Sequence, residues 1–165
     1  MNDANASTAT VWCPHVTVAS VVADAVGRFL MVEETVAGRI RFNQPAGHLE
    51  PHESLPAAAV RETLEETGWE IVPRHLVAVH QWYSPEHKEH VVRFSFAGEA
   101  VRRHAGRALD EGIIGPHWLR RDEIAALGER LRSPLVLHSI DAWLDGQRLP
   151  LHAVQSLLTD SVDLP

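Results

Sequence analysis

Four carboxylates stand close together in the middle of this 165-residue chain: Glu53, then Glu62, Glu65 and Glu66. At about 100° per residue the last three fall on one side of a helix, at i, i+3 and i+4. Like charges at that spacing cost an isolated helix roughly 0.2–0.5 kcal/mol per pair. A hard divalent cation, which prefers oxygen ligands, is the natural way to offset that repulsion. The alternative is a solvated acidic face. Two features weigh against it. No lysine stands on that face, and the preceding Gln44-Pro45-Ala46-Gly47 is a turn able to deliver a backbone carbonyl beside the carboxylates.

The element that must position these groups is a helix introduced by a loop. Ser54 is placed to cap it, Pro56 sits where a first turn tolerates proline, and Gly68 offers a stop. Ala57, Val60 and Leu64 form the expected core stripe. Ahead of it, Pro14 to Ala23 is rich in β-branched residues on both faces and reads as a central strand. Arg28 to Glu33 and Arg39 to Phe42 read as further strands. Behind it, Arg74 to Tyr83 and Glu89 to Ala97 read as a hairpin around Ser84 to Lys88, with Val92, Phe94 and Phe96 alternating with Arg93 and Ser95. Arg102 to Gly112 reads as a polar loop, His117 to Leu119 as a brief strand, and Arg121 to Leu131 as a weak helix. Ser133-Pro134 opens a last helix as cap and first residue, Gly146 ends it, and Leu137, Ile140 and Leu144 form its stripe beside Trp143. Strands on both sides of one helix, with a second helix at the end, predict a mixed β-sheet between helices, an α/β sandwich. Residues 1–13 are expected to be a loose N-terminal segment and 14–160 a single domain.

Composition is that of an ordinary globular protein, 45% hydrophobic and 22% charged. No apolar run is long enough to cross a bilayer and no basic start precedes an apolar segment, so a cytoplasmic protein without a membrane partner is expected. The single cysteine, Cys13, excludes an internal disulfide. A formal charge of −7 argues against a nucleic-acid surface. It would also repel a phosphate substrate, unless metal ions bridge the carboxylates to the phosphates.

The spacing of Gly47, Glu53 and Arg61-Glu62-Thr63-Leu64-Glu65-Glu66-Thr67-Gly68-Trp69 resembles the Nudix box, G-x5-E-x7-R-E-U-x-E-E-x-G-U, in which U is a bulky aliphatic. Thr63 and Trp69 depart from it at the two U positions, which concern packing and not metal chemistry. Further pieces resemble the NudJ-type phosphatases within that superfamily. They are Pro14-His15-Val16-Thr17-Val18, Val32-Glu33-Glu34-Thr35, Asn43 to Glu50, His80-Gln81-Trp82, Leu131 to Leu135 and Gly146 to Leu151. The resemblance implies a Nudix-type α/β/α sandwich. It also implies a Mg2+-dependent phosphatase, with Mn2+ as a substitute metal. The implied substrates are hydroxymethylpyrimidine diphosphate, thiamine diphosphate and nucleoside di- or triphosphates, with release of orthophosphate. A monomer is implied, with a homodimer as the alternative. Other Nudix specificities are the competing readings: a nucleoside triphosphate pyrophosphohydrolase, a nucleotide-sugar hydrolase, or a non-catalytic ligand-binding module.

By analogy with the box, Glu62, Glu65 and Glu66 are the metal carboxylates and the Gly47 carbonyl a further ligand. Glu53 acts through the metal's water shell or as a nearby base, and Arg61 orients the carboxylates. The general base is Glu65 first, with Glu53, Asp110 and Glu111 as alternatives. Trp82 and Tyr83 are candidates to stack on a substrate ring. Gln44, Asn43 and His48 flank the glycine turn as candidate polar contacts, Glu111 is a candidate on a later loop, and His15 is a lesser one. Trp12 and Trp118 read as packing residues. The histidine pairs His48/His52 and His87/His90 lack the cysteines or the H-E-x-x-H spacing of a zinc site. No G-x-S-x-G and no glycine-rich phosphate loop occurs.

Overall fold

The computed structural model of the protein describes residues 11–158. The chain runs β1 (His15–Val22), β2 (Arg28–Val36), β3 (Arg39–Asn43), β4 (Ala46–His48), α1 (Leu55–Thr67), β5 (Trp69–Ser84), β6 (Glu89–Arg103), β7 (Ile113–Arg120), α2 (Arg121–Ala126), α3 (Leu135–Leu144) and β8 (Leu149–Pro150), with short 3-10 turns after α2 and β8. The α/β class is as expected. The single sheet is not. The strands divide into a five-stranded sheet, β4-β1-β6-β5-β8, and a three-stranded one, β3-β2-β7. The larger sheet is mixed, because β1 pairs parallel with β6 and antiparallel with β4. Part of the predicted Gln44–Gly47 turn is therefore strand: Gly47 lies opposite Val18 and His48 opposite Thr17.

Helices cover both faces of the larger sheet. Val18, Leu76 and Phe96 pack with Ala58 and Ala59 of α1. On the other face Val21 joins Phe29, Met31, Ile124, Val136 and Ile140, under α2 and α3. This double covering corrects the reading of β6 as polar on one side. Arg93 and Ser95 are both buried, and Ser95 shares a 2.8 Å hydrogen bond with Ser139 of α3.

The face that α1 buries also differs from the expected stripe. Ala57 is exposed and Val60 and Leu64 are only partly covered, while Ala58, Ala59, Glu62, Thr63, Glu66 and Thr67 are buried. Thr63 is tolerated there because its hydroxyl lies 2.7 Å from the Ala59 carbonyl and 2.8 Å from Ser20 Oγ. Ser133 does not cap α3, whose N-terminus has no side-chain cap, and its hydroxyl is buried without a partner. The α3 stripe runs through Val136, Ser139 and Ile140, leaving Leu144 exposed. Strands β5, β6 and β7 extend beyond their expected ends, and α2 is a single short helix. Residues 1–10 of the predicted loose terminus lie outside the described residues; Trp12 and Cys13 are exposed. Trp12 meets the His90 ring edge-on at 5.2 Å, and Trp118 packs against Trp69. Among the described residues no helix is long and apolar enough to cross a membrane.

Candidate active site

The acidic helix begins and ends where its caps dictate. Ser54 Oγ accepts from the Ala57 N–H at 3.3 Å, and Gly68 closes the C-terminus at φ +69°, donating its N–H to the Leu64 carbonyl at 2.9 Å. Strand β4 lies against the carboxylate face. A Cβ on Gly47 would fall 2.1 Å from Glu62 Oε1, so only glycine lets the chain approach this carboxylate so closely. Ala46 donates its N–H to Glu66 Oε2 at 2.8 Å. These two contacts explain why Glu62 and Glu66 are only 8% and 9% exposed.

Arg61 ties the remaining acids together. Its Nε and one terminal nitrogen donate to the two oxygens of Glu53 at 3.0 and 2.7 Å. Its other terminal nitrogen donates to Glu62 Oε1 at 2.8 Å and Glu65 Oε2 at 3.0 Å. The His48 carbonyl accepts a further bond at 3.0 Å. The fork is thus committed to protein groups. Its hydrogen bonds to Glu53, before the others, hold the guanidinium above its usual range, and the same bonds hold Glu53 below the usual carboxylate range. Glu62 behaves oppositely: burial raises its carboxyl although Arg61 pulls it down. Burial pushes Glu66 up to about 8, with Glu62, Glu34 and Asp110 adding to the effect.

Among the described residues no three acids, histidines or cysteines are already drawn into one coordination shell. The donor set nevertheless fits a hard cation. Glu62, Glu65 and Glu66 each commit one oxygen to a hydrogen bond inside the protein. The other oxygen of each accepts no hydrogen bond from the described residues. Desolvated like charges beside a glycine backbone favour an added cation of oxygen preference.

A cavity of about 720 Å3 adjoins this cluster. Ala46 and Gly47 line it on one side and meet Glu66 and Glu62 on the other. His48 and Trp82 open onto it, and the His48 and His15 rings approach at 3.2 Å between nitrogens. Asn43 and His15 line it as well. Gln44 does not: it is 1% exposed, with neither side-chain amide atom hydrogen-bonded. Tyr83, one residue past Trp82, points away as strand alternation requires and lies against the His90 ring. Asp110 is brought to the acidic helix, donating its N–H to the Glu65 carbonyl at 3.2 Å. Glu111 is exposed and, among the described residues, makes no bond to the cluster.

Sequence reasoning passed over the cavity's charged residues. Arg93, Arg132, Arg41 and Glu34 all line it. Arg93 was hidden by the apparent alternation of β6, whose second face is covered by a helix far along the chain. An arginine between valine and phenylalanine in a strand was the available signal. Burial raises the Glu34 carboxyl, and one of its oxygens is buried without a partner.

The NUDIX domain family matches residues 14–139. Over 141 residues the chain is 46% identical to Phosphatase NudJ of Escherichia coli strain K12, covering 86% of this chain and 90% of that protein. The same figures hold for Phosphatase NudJ of Shigella flexneri. A NUDIX hydrolase structure from Nitrosomonas europaea is similar at a TM-score of 0.87 and 40% identity, over 90% of this chain and 100% of that one. The crystal structure of UDP-X diphosphatase shares the fold, at a TM-score of 0.68 and 17% identity over 88% of this chain and 70% of that one.

Proposed function

The chain belongs to the Nudix hydrolase family, and on that premise we propose that it is a Mg2+-dependent phosphatase of small diphosphate and triphosphate compounds. The substrates proposed are hydroxymethylpyrimidine diphosphate, thiamine diphosphate and nucleoside di- or triphosphates, cleaved to release orthophosphate. It is a hydrolase of phosphoanhydride bonds. The observation that carries the metal reading is the burial of Glu62 and Glu66 against β4, with the Gly47 backbone pressed on the first and the Ala46 N–H on the second.

In this reading Glu62, Glu65, Glu66 and the Gly47 carbonyl would hold the ion, and Mn2+ would be able to replace Mg2+. Such an ion supplies charge neutralisation at the phosphoryl oxygens and makes water more acidic. The residues supply the rest. Arg61 keeps Glu53, Glu62 and Glu65 oriented, since its fork is used up on them. Glu65 is the proposed base. Its side chain is more accessible than that of Glu62, so it can reach a water aligned with the phosphorus. That water's oxygen bonds to phosphorus as the bridging oxygen leaves with the electron pair of the broken P–O bond, and Glu65 takes the proton. Trp82 and His48, which both line the cavity, would receive the organic end of the substrate. A monomer acting in the cytoplasm is sufficient for this chemistry.

A panel of hydroxymethylpyrimidine diphosphate, thiamine diphosphate, common nucleotides and nucleotide sugars, read by product identity with Mg2+ present, tests the proposal. Orthophosphate from the chain end is expected. Pyrophosphate plus a monophosphate indicates a pyrophosphohydrolase, and two monophosphates from a nucleotide sugar indicate that specificity. No turnover of any member leaves a non-catalytic binding module.

A further inference from the structure

Arg93 poses a problem that the acidic helix does not answer. Its side chain projects from the middle of β6, beside Thr17 of β1, and only 7% of the residue is exposed. The guanidinium has five N–H donors, yet its bonds are two long ones to neutral acceptors: 3.4 Å to Thr17 Oγ1 and 3.5 Å to Asn43 Oδ1. Among the described residues no carboxylate lies within 4.0 Å of it to form an ion pair; the residue's charged neighbours Glu66 and Glu34 favour it only from farther away. Burying a charge without a close partner is strongly unfavourable. A structural arginine would be seated against one of those acids, as Arg61 is against Glu53.

The same cavity holds a second cation as well as the Glu34 carboxylate, which lies near both arginines without an ion pair to Arg93. Arg132 lines the same cavity and lies near enough for the two cations to disfavour each other. Its backbone is fixed, its N–H donating to the Phe42 carbonyl at 2.8 Å. The next residue, Ser133, also lines the cavity and keeps a buried hydroxyl without a partner. Two arginines lining one cavity, beside a serine whose buried hydroxyl has no partner, suit an anion with several oxygens. Phosphate suits the planar fork better than any monovalent halide.

We infer that Arg93, Arg132 and the Ser133 hydroxyl form a phosphate subsite on the cavity side of Gly47, which holds the phosphate that stays with the organic group. The position follows from the order of groups across the site. The carboxylates lie behind Ala46 and Gly47, the arginines in front of them, and Trp82 and His48 also line the cavity. A phosphate chain spanning the glycine places one phosphorus at the carboxylates and the next at the arginines. This assignment of the chain's direction rests on the phosphatase reading above; the anion subsite itself does not.

The test uses the full chain without metal, in EDTA, with inorganic pyrophosphate as the probe and thermal unfolding as the readout. Millimolar pyrophosphate is expected to raise the Tm of the wild type in a saturable way, and equal ionic strength of chloride is not. Arg93→Met removes a buried cation without changing side-chain length much, so its own Tm should match or exceed the wild type while its pyrophosphate shift disappears. A merely structural arginine predicts the reverse, a lowered Tm. Arg93→Lys and Arg132→Met provide the same reading should Arg93→Met fail to fold, each expected to weaken the pyrophosphate midpoint at least fivefold. No pyrophosphate shift in the wild type overturns the subsite, as does an unchanged midpoint in the folded variants. With Mg2+ and a hydrolysed diphosphate, Arg132→Met should raise KM at least tenfold and change kcat less. A panel without turnover but with the pyrophosphate shift intact removes the phosphatase reading and leaves the subsite. Turnover with no anion shift does the opposite.

Discussion

The backbone of Gly47 and the carboxylate of Glu62 occupy adjoining space so tightly that a methyl group on residue 47 would sit 2.1 to 2.3 Å from all three atoms of that carboxylate. The overlapping atoms are the far end of a side chain and not backbone, so Gly47→Ala is expected to fold. The carboxylate must then swing away from β4. Stability should fall by about 1–2 kcal/mol, whereas turnover should fall at least a hundredfold and the Mg2+ midpoint should rise. A thermal melt beside a Mg2+ titration of activity checks this; equal metal midpoints for variant and wild type would remove the backbone approach from the metal site.

Glu66 gives the metal-free protein a pH dependence whose sign can be worked out. Burial pushes its carboxyl up from the ordinary 4.5 to about 8, so the folded protein holds the proton more tightly than the unfolded chain. Its contribution to stability is present below about pH 4.5 and is lost as pH rises through about 8. The loss is of the order of 5 kcal/mol. Melts in EDTA between pH 5 and 9 should show Tm falling across that window. Glu66→Gln should flatten the fall, and saturating Mg2+ should do the same for the wild type. A wild-type Tm in EDTA that rises over this range would contradict the burial argument.

Glu65→Gln keeps the size and one oxygen of the side chain but loses its charge and its basicity. The protein should fold normally, because this side chain is partly exposed and only Arg61 bonds to it. Turnover should drop by several orders of magnitude, about 4 kcal/mol or more of barrier. A loss below tenfold in single-turnover measurements would move the base to another acid. Asp110 is then the first to examine, since its backbone is bonded to Glu65.

The limits of α1 and its acidic positions were readable from sequence because caps and charge spacing are local. Which side of α1 packs was not, because threonines that bond back along the helix can be buried as freely as apolar residues. Thr63 bonds to Ala59, and Thr67 to Thr63. The cavity's cations were hidden for a different reason. Whether Arg93 faces solvent depends on elements distant in sequence: Thr17 and Asn43 flank it, and the cavity it lines is also lined by Arg132 and Ser133, just ahead of α3. His48 and Trp82 belong to recognisable segments and line the cavity, whereas Tyr83 lies against His90 and Gln44 is buried, placements set by strand alternation and by a turn that is partly strand.

Thr63 separates packing from chemistry. It is fully buried, bonded to Ser20 of β1 and to the Ala59 carbonyl, and it does not line the cavity. Thr63→Ala leaves Ser20 with its own bond to Ala59, so the cost should be about 1–2 kcal/mol, that of one buried hydrogen bond and a methyl group. Because the carboxylates keep their partners, kcat should change less than threefold. Chemical denaturation and steady-state kinetics on the same preparation decide it; a kcat loss matching that of Glu65→Gln would place Thr63 in the catalytic machinery.

Arg61 serves as the internal counter-charge for three acids, which makes it a competitor as well as a support for any added cation. Its bonds to Glu62 and Glu65 use the same carboxylates that the metal reading requires. Replacing it by methionine leaves Glu53, Glu62 and Glu65 repelling one another with nothing between them. The metal-free variant should therefore melt below the wild type, and the gain in Tm from saturating Mg2+ should be larger than in the wild type, since the ion now relieves the whole repulsion. Turnover should still fall, because Glu53 and Glu65 lose the fork that fixes their orientation. The decisive quantity is the difference in Tm between EDTA and Mg2+. Were that difference smaller in Arg61→Met than in the wild type, Arg61 would be assembling the ion's ligands, and its competition with the ion would be negligible.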